Sequence, residues 1–263
     1  MQPREPSGSA AGKSGGLEPP IFAYAEHQLT RKGVDMRVRV AELPGGSSVG
    51  SVLLFGELQA DPLVRMHSRC LYGDALRSED CDCGPELDLS LDRIQAEGGG
   101  VLIYLEQEGR GAGLLTKAKG LRLSQTRGWD TYKAYRSLGF PADLRSYEPA
   151  AFFLRFELGL GRIRLLTNSP NKVAALRCAG IEVTPVTVHT EPQTERARKY
   201  LSDKQILQNH DLPPLLRTLP SATTAQHEPV MSISPVGVVS RTVVQTATRI
   251  IKRLRALVDG YNS

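Results

Sequence analysis

The sequence lacks an apolar run of the roughly 18 residues that a membrane-spanning helix needs. Its first residues also lack the apolar core of a secretory signal, so we expect a cytoplasmic protein without a membrane partner. Neither sign of charge dominates, because 33 basic residues stand against 28 acidic ones. The net charge of +5 does not call for nucleic acid as a partner, but it suits a small polyanionic ligand.

Length and composition favour one main domain with appendages, because 263 residues with 40% hydrophobic content can form a proper core. Residues 1–20 are rich in Gly, Ser, Ala and Pro and are predicted to be disordered. Residues 21–212 are expected to form the main domain. Residues 213–263 are expected to form a linker and an amphipathic helix with one basic side. Packing of that helix on its own domain or on a dimer is favoured over a membrane or nucleic-acid contact.

Hydrophobic periodicity in the main domain alternates between the strand and the helix pattern, which predicts a mixed α/β fold. The predicted strands are residues 36–43, 52–55, 64–67, 101–105, 163–167 and 181–188. The predicted helices are residues 86–97, 115–125, 131–138, 150–158, 173–179 and 195–209. The second helix carries three basic residues, Lys117, Lys119 and Arg122. Most residues of this kind are solvated, and no individual role is assigned to them.

Three of the four cysteines, Cys70, Cys81 and Cys83, share one stretch with the spacing C-x10-C-x-C. Thiolates are ligands that zinc prefers, and three of them leave the fourth tetrahedral position for a water with a pKa of about 7. Two alternatives stay open: His67 could close the site as a structural one, or the cysteines could be buried thiols. A disulfide is disfavoured, because Cys81 and Cys83 are too close to pair easily.

Three other motifs are weak signals when each is taken alone. The glycine-rich loop E-G-R-G-A-G lets backbone approach a ligand closely, but it lacks the spacing and the terminal G-K-S/T of a Walker A loop. The segment N-S-P-N-K, which ends at Lys172, places a lysine and a helix N-terminus where a phosphate could bind. The pair Asp143 and Arg145 indicates no more than a surface ion pair.

Together, the motifs resemble those of a known family. The stretch V-R-M-H-S-R-C-L-Y-G-D-A-L-R-S-E-D-C-D-C-G resembles the zinc-binding signature of GTP cyclohydrolase II. The similarity continues in family order through E-Q-E-G-R-G-A-G-L, D-T, L-G-F-P-A-D-L-R and L-L-T-N-S-P-N-K, over roughly residues 35–210. It implies a mixed α/β catalytic domain with a zinc loop at the mouth of a nucleotide cleft, and a homodimer. It also implies opening of the GTP imidazole ring at C8 in riboflavin synthesis, with release of pyrophosphate and formate.

The resemblance also implies roles for individual residues. Cys70, Cys81 and Cys83 match the ligands of one zinc ion, and Mg²⁺ is expected on the triphosphate. Asp143 and Arg145 match the pair assigned to attack on the α-phosphate. Because a guanidinium stays protonated, we interpret Asp143 as a base and Arg145 as a stabiliser of charge at phosphorus. The positions that match nucleotide contacts are Arg65, Met66, His67, Ser68, Arg69, Glu86, Glu108, Gly109, Arg110, Thr131, Thr167 and Lys172.

Among these contacts, Glu108 is expected to accept hydrogen bonds from the purine edge. Arg65, Arg110 and Lys172 are expected to neutralise the triphosphate. These roles divide the expected cleft into a base-binding part and a phosphate-binding part.

Several positions depart from the family pattern within the motifs. Arg69 replaces a usual Glu, Tyr72 a usual Thr, Asp80 a usual Arg and Glu86 a usual Gln. A family Tyr in the helix after the glycine loop falls on Leu121 or Arg122. These departures leave three alternatives: a paralogue that retains the formyl group, one that uses another guanine nucleotide, or a silent nucleotide-binding regulatory protein.

Overall fold

The structure is a computed structural model that describes residues 22–46 and 49–212. Its centre is a seven-stranded sheet in the order β1-β2-β3-β5-β4-β6-β7. The first four strands in this order pair antiparallel, whereas β5, β4, β6 and β7 pair parallel. The strands are β1 (Ala25–Arg31), β2 (Val34–Glu42), β3 (Gly50–Gly56), β4 (Leu63–Ser68), β5 (Gly99–Leu105), β6 (Arg162–Leu166) and β7 (Glu182–Val186).

The helices follow the ends of the strands or cover the sheet. They are α1 (Leu71–Asp74), α2 (Cys83–Ala96), α3 (Leu114–Arg127), α4 (Thr131–Ser137), α5 (Glu148–Phe152), α6 (Pro170–Cys178) and α7 (Glu195–Gln208). A π-helical turn at Phe153–Glu157 continues α5. Parallel strands need long crossover connections, and α6 supplies the crossover between β6 and β7.

The core lies on both faces of the sheet, because neighbouring residues of each central strand point to opposite sides. On one face, Val64 and Ile103 pack with Phe153 and Leu176 of the helical layer formed by α5, the π-turn and α6. On the other face, Leu102 packs with Ile94 of α2 and its neighbours. A sheet covered in this way holds the ends of β4 and β6 rigid, and the site is built there.

All predicted strands and helices within the described residues occur, with shifted ends. Helix α2 begins at Cys83 instead of residue 86, so the last cysteine of the motif belongs to a helix. Strand β5 begins at Gly99, two residues before the predicted start at residue 101. The helix predicted at 150–158 is an α-helix followed by the π-turn.

Two elements were not predicted. Strand β1 is a polar edge strand, so it shows no alternation of apolar and polar residues. Its signal was the turn at Lys32 and Gly33, which have φ of 51° and 77° and join β1 to β2 as a two-residue hairpin loop. The other element, α1, is a single turn of four residues and is too short to show a helical period.

The expected tail at residues 1–20 and the expected linker and helix at 213–263 lie outside the described residues. The boundaries proposed for the main domain therefore stay predictions. No helix within residues 22–46 and 49–212 is long and apolar enough to cross a membrane.

Candidate active site and metal centre

The site begins on β4, which carries polar side chains on one face only. Val64 and Met66 point into the core, so the alternation of the strand places Arg65 and His67 on the opposite face. Arg65 and His67 are 3% and 2% exposed and need hydrogen-bond partners. Both line a cleft that encloses about 900 Å³ of empty space, part of it open to solvent.

The three cysteines meet at one end of this cleft. Cys70 is the N-cap of α1, and its Sγ accepts a hydrogen bond from the Gly73 N–H at 3.3 Å. The Sγ atoms of Cys70, Cys81 and Cys83 lie within 4.8 Å of one another, and those of Cys70 and Cys81 are 3.8 Å apart. Tetrahedral bonds of about 2.3 Å to zinc separate two sulfurs by roughly 3.8 Å, so this donor set fits a zinc ion.

A fourth protein ligand is not found among the described residues, where the cluster consists of the three cysteines alone. His67 does not complete it: its Nε2 lies 3.0 Å from the Asp74 carboxylate and its Nδ1 3.3 Å from Arg65. The cysteines are not joined in disulfides. The geometry therefore leaves a fourth coordination position open, as a catalytic zinc site requires.

Asp74 lies next to the cysteine cluster and holds its surroundings in place through hydrogen bonds. Its Oδ2 accepts hydrogen bonds from the Cys70 backbone N–H at 2.9 Å and from the Tyr104 hydroxyl at 2.7 Å. Burial raises the pKa of Asp74, but its hydrogen bonds, above all with His67, outweigh that effect and lower the pKa. A charged Asp74 thus fixes the backbone at the first cysteine and the ring of His67.

The sequence assigned no role to Lys117, but the structure places its side chain against the cysteine cluster. Its Nζ lies 3.0 Å from the Cys70 Sγ and 2.7 Å from the Glu108 Oε1, and 4.9 Å from the centre of the Tyr72 ring. Burial opposes its charge, but Cys70 and Glu108 raise the pKa of Lys117 above its usual value. Contacts with Cys81 and Cys83, aided by Lys117, lower the pKa of Cys70. A permanent cation therefore stands beside the sulfur cluster.

The glycine-rich loop after β5 brings Glu108 to the cysteines. Its Oε2 accepts the Leu71 backbone N–H at 2.7 Å, so two of its acceptor sites serve Leu71 and Lys117. Gly109 has a φ of 59°, and a Cβ there would lie 2.5 Å from the Gly113 carbonyl oxygen. Only glycine fits this position, because the loop must fold back tightly to aim Glu108.

Arg110, in the same loop, reaches across the cleft. Its Nη2 donates to the Thr131 hydroxyl at 3.0 Å, and its guanidinium lies 4.5 Å from the centre of the Tyr132 ring. Arg110 has a φ of 56°, an uncommon conformation for a residue with a Cβ. The loop thus directs a cation into the cleft at the start of α4.

Asp143 and Arg145 form a side-chain pair, with Nη2 of Arg145 donating to the Asp143 Oδ2 at 2.6 Å and Nε to Oδ1 at 2.9 Å. Burial disfavours charge on both, yet the pairing lowers the pKa of Asp143 and raises that of Arg145. Arg145 lines the cleft and Asp143 stands behind it. The expectation of a weak surface pair is wrong, because the side chains are only 26% and 16% exposed.

A second ion pair lies deeper in the cleft. Arg65 donates to the Glu86 Oε2 at 2.6 Å and to the Leu166 carbonyl at 3.1 Å, while the Asn168 amide donates to the Glu86 Oε1 at 3.1 Å. Burial raises the pKa of Glu86, but the charges of Arg65 and Lys204 outweigh it and hold the pKa well below its usual range. Both carboxylate oxygens are thus committed to protein donors.

The first turn of α6 supplies a cation without a carboxylate partner among the described residues. Lys172 is buried, and its Nζ donates to the Met66 carbonyl at 2.7 Å. Burial, reinforced by Arg65 and Arg145, lowers the pKa of Lys172 well below its usual value. An anion in the cleft would relieve this repulsion. Thr167, which precedes the helix, accepts the Ser169 N–H at 3.0 Å.

Helix α7 adds residues that the sequence interpretation did not assign to the site. Lys204 donates to both Asp82 oxygens at 2.6 and 2.9 Å, next to the last two cysteines. Gln208 donates to the Asp143 Oδ2 at 3.3 Å. Tyr200, Lys204 and His210 all line the cleft. Apolar spacing predicted the helix, but it carries no signal for what its polar side chains contact.

Most of the residues expected to contact nucleotide line this single cleft: Arg65, His67, Ser68, Arg69, Glu86, Glu108, Gly109, Arg110, Thr131, Thr167 and Lys172. Met66 does not, because its side chain is buried in the core and only its carbonyl reaches Lys172. Cys81 lines a neighbouring cavity but shares the sulfur cluster. No observation tests the contacts with nucleotide themselves, which stay predictions.

The departures from the family pattern have local structural partners. Leu121 lines the cleft whereas Arg122 is exposed, so the missing Tyr corresponds in space to Leu121. Another hydroxyl, that of Tyr135 on α4, lines the same cleft close to Gly120 of α3. Tyr72 packs against the ammonium of Lys117.

Besides Glu86, two other charged departures pair with side chains. Asp80 binds Arg196 of α7 at 3.0 Å, and Arg69 binds Glu106 at 2.7 Å. The chain thus satisfies the charges that these positions introduce.

Comparison with known proteins is consistent with this arrangement. The family model described as GTP cyclohydrolase II matches residues 27–188. A riboflavin biosynthesis protein of Vibrio vulnificus is 49% identical over 154 residues, which are 58% of this chain and 41% of that protein. The riboflavin biosynthesis protein RibBA of Bacillus mycoides is 44% identical over 171 residues, 65% of this chain and 40% of that protein. The chain thus spans about two fifths of the length of these relatives.

Proposed function

The chain belongs to the GTP cyclohydrolase II family, and from this premise we propose that it hydrolyses GTP to a diaminopyrimidine ribosyl monophosphate. One water adds at C8 and breaks the bond to N9, and a second releases C8 as formate. A third cleaves the phosphoanhydride next to the α-phosphate, so that pyrophosphate leaves. The relatives' printed names support a place for this reaction in riboflavin biosynthesis.

The observation that carries the proposal is the meeting of three chemistries in one cleft. An open cluster of three thiols lies at one end, and Arg145, with Asp143 behind it, lines another part. Lys172, which has no carboxylate partner among the described residues, lies near other buried cations. Ring hydrolysis needs an activated water, and phosphoanhydride cleavage needs stabilised charge at phosphorus. The thiol cluster alone would serve only the ring hydrolysis, and the Asp143–Arg145 pair alone would serve only the phosphoanhydride cleavage.

Cys70, Cys81 and Cys83 would hold a zinc ion and leave one position for exchange. Zinc supplies Lewis acidity and lowers the pKa of a coordinated water to about 7. Lys117 and Glu108 stand beside the cluster, where the ammonium would stabilise the negative charge that develops on the ring nitrogen when water adds at C8. Glu108 accepts from Leu71, Gly109 and Lys117, and its remaining acceptor site would orient the purine edge.

At phosphorus, the pairing geometry favours Arg145 as a stabiliser of charge. Its guanidinium faces the cleft and stays protonated, so it would bind the α-phosphate oxygens as they gain charge. Asp143, held behind it by two donors, would position the guanidinium and accept a proton from the attacking group. Arg110 and Lys172, with Mg²⁺ on the triphosphate, would neutralise the leaving pyrophosphate.

The deciding experiment is mass spectrometry of the products that purified, zinc-loaded protein forms from GTP and Mg²⁺. We expect formate, pyrophosphate and the diaminopyrimidine monophosphate in equal amounts. Unchanged GTP under conditions in which zinc is bound would contradict the proposal. A panel of guanine nucleotides would then separate a different substrate from a silent nucleotide-binding protein.

A second candidate product is the formamidopyrimidine nucleotide, in which the ring is opened but the formyl group stays. Leu121 favours it, because an apolar side chain lines the cleft where the family pattern has a hydroxyl. If this reading holds, wild-type protein forms the formyl product and Leu121→Tyr increases the share of formate. Equal formate release by both proteins would speak against it. Arg122→Tyr, at an exposed position of the same helix, is the matched control.

The resemblance also supports a homodimer. Analytical ultracentrifugation of the full chain tests the dimer, with a monomer across micromolar concentrations as the contrary result.

A further inference from the structure

Tyr135 brings to the cleft a hydroxyl that the proposed chemistry does not use. The residue belongs to α4, lines the cleft and is 4% exposed. Its hydroxyl forms no hydrogen bond among the described residues, yet it is not one of the unpaired side-chain atoms that are sealed from solvent there. The small surface that Tyr135 keeps therefore includes the hydroxyl, and a molecule in the cleft can reach it.

Helix α3 fixes the ring that carries this hydroxyl. Gly120 lies in the middle of α3, and a Cβ there would lie 2.9 Å from Cε2 of the Tyr135 ring and 3.2 Å from Cδ2. Glycine within a helix costs stability relative to alanine, and here it makes room for the ring. The Arg110 guanidinium lies 6.0 Å from the ring centre. Close packing on α3 thus gives the hydroxyl a defined position in the cleft.

The charges near the hydroxyl show where along the cleft it lies. Burial raises the pKa of Tyr135, and the charged groups that act on it are Arg110, Lys117, Glu108 and Arg145. Lys117 and Glu108 stand at the cysteine cluster, whereas Arg145 belongs to the pair proposed to act at the α-phosphate. The hydroxyl is therefore within reach of both groups. It also stays protonated at neutral pH, so it can donate a hydrogen bond as well as accept one.

The order of parts in a guanine nucleotide identifies what this hydroxyl faces. Each of the four charged side chains around it already has a protein partner, whereas the hydroxyl has none among the described residues. The proposed function places the base at the cysteine cluster and the α-phosphate at Arg145. The ribose joins these two parts, and its hydroxyls can donate and accept hydrogen bonds as a tyrosine hydroxyl does.

We propose that the Tyr135 hydroxyl forms a hydrogen bond with a ribose hydroxyl of the bound guanine nucleotide and so favours ribonucleotides over their deoxy forms. This inference rests on the proposed function, which supplies the positions of the base and the α-phosphate. It makes Tyr135 a specificity-determining residue on α4, the helix that begins with Thr131.

The test compares GTP, 2′-deoxy-GTP and 3′-deoxy-GTP as substrates of zinc-loaded full-length protein, with kcat/KM measured for each. Tyr135→Phe removes one oxygen and keeps the ring that packs on Gly120. Tyr24→Phe removes the same oxygen from an exposed tyrosine outside the cleft and serves as the control. Thermal melting establishes that each variant is folded.

We expect wild-type protein to prefer GTP over one of the two deoxy forms by about 3- to 10-fold, the range for one neutral hydrogen bond. Tyr135→Phe should lower kcat/KM for GTP by the same factor. For that deoxy form it should stay within about twofold of wild type, because the contact is already absent. The preference for the ribonucleotide should therefore disappear in Tyr135→Phe and persist in Tyr24→Phe.

The contrary outcomes separate this inference from the proposed function. A wild-type preference that Tyr135→Phe retains, or a wild type that uses all three nucleotides equally, would overturn the contact and leave the proposed function intact. Equal losses for all three nucleotides in Tyr135→Phe would overturn the assignment to the ribose. A wild type that turns over no GTP would overturn the proposed function. Calorimetry with the same nucleotides and variants would then decide the contact through the same ratios, and absence of binding would overturn both proposals.

Discussion

The two ends of the cleft are assembled in different ways. At the cysteine end, the partners come from nearby chain: Cys70, Cys81, Cys83 and Asp74 share one loop region, and Lys117 and Glu108 approach from the next loop and helix. The cation end draws on β4, α2, the loop before α6, and α7. Residues that lie close together in the sequence form the first end, whereas the topology of the sheet brings distant residues together at the second.

The electrostatics of the two ends also differ. At the cysteine end, the ammonium of Lys117 is shared by a thiol and a carboxylate, so charge is nearly balanced before any ligand binds. At the cation end, Lys172 is buried and has no carboxylate partner within the part of the chain that the structure describes, and burial together with the charges of Arg65 and Arg145 lowers its pKa. The first end is therefore ready for a cation, zinc, and the second for an anion. Four substitutions test this difference between the two ends.

The largest effect is expected at the cysteine end. Cys81→Ser removes one of three zinc ligands, and two thiolates with an open site bind zinc much more weakly. We expect zinc content to fall from about one per chain toward zero, and turnover of GTP to fall by at least about 10³-fold. Metal analysis and product formation measure the two quantities.

The matched control uses the fourth cysteine, Cys178, which is exposed and lies outside the cluster. Cys178→Ser should leave zinc content and turnover unchanged. Cys81→Ser protein that turns over GTP at the wild-type rate would refute the zinc mechanism.

The next effect is expected at Arg145. Lysine keeps the charge but loses the two-pronged pairing with Asp143, so the cation would no longer be held toward phosphorus. Arg145→Lys should lower kcat about 10²-fold, while zinc content and GTP affinity stay close to wild type. Arg162→Lys, which changes an exposed ion pair, is the control. A kcat within twofold of wild type would show that Arg145 does not act in the chemical step.

A substitution at Glu86 tests how much the ion pair at the cation end contributes to the free energy of unfolding. Glu86→Gln keeps one acceptor, but it turns an amide N–H₂ toward Arg65 or Asn168, each of which already donates. Urea unfolding at pH 7 should show a loss of roughly 1–3 kcal/mol in the free energy of unfolding. Glu182→Gln, in an exposed pair, should cost less than about 1 kcal/mol.

The pH dependence of this difference has a definite sign. The pKa of Glu86 is lower in the folded protein than the ordinary value of 4.5, so its stabilising effect is present above pH 4.5. It is lost as the pH falls below that value. The gap between wild type and Glu86→Gln should therefore narrow as the pH drops from 5 toward 3. A gap that widens on acidification would mean that Glu86 is protonated in the folded protein at neutral pH.

The difference between the two ends also explains which parts of the site could be predicted from the sequence. Contiguous motifs predicted the zinc cluster, the glycine-rich loop that carries Glu108 and the segment that ends at Lys172. The residues that define each of these lie close together along the chain. The partners of Glu86 and Asp82 were not predictable, since Asn168 and Lys204 are 82 and 122 residues away. Strand β1 was missed because an exposed edge strand shows no apolar alternation. Lys117 was missed because helical spacing does not reveal a burial imposed by the neighbouring loop.

The smallest effect is expected at Asp80, which departs from the family pattern but lies on the surface. Its pair with Arg196 joins the cysteine loop to α7, and the side chains are 41% and 67% exposed. Asp80→Asn should therefore change the free energy of unfolding by less than about 0.5 kcal/mol, because solvent screens such a pair. GTP turnover should stay within twofold, since the buried Lys204–Asp82 pair still holds α7 to the cysteine loop. Turnover that falls tenfold with unchanged stability would show that the position of α7 depends on its exposed contact as well as on the buried one.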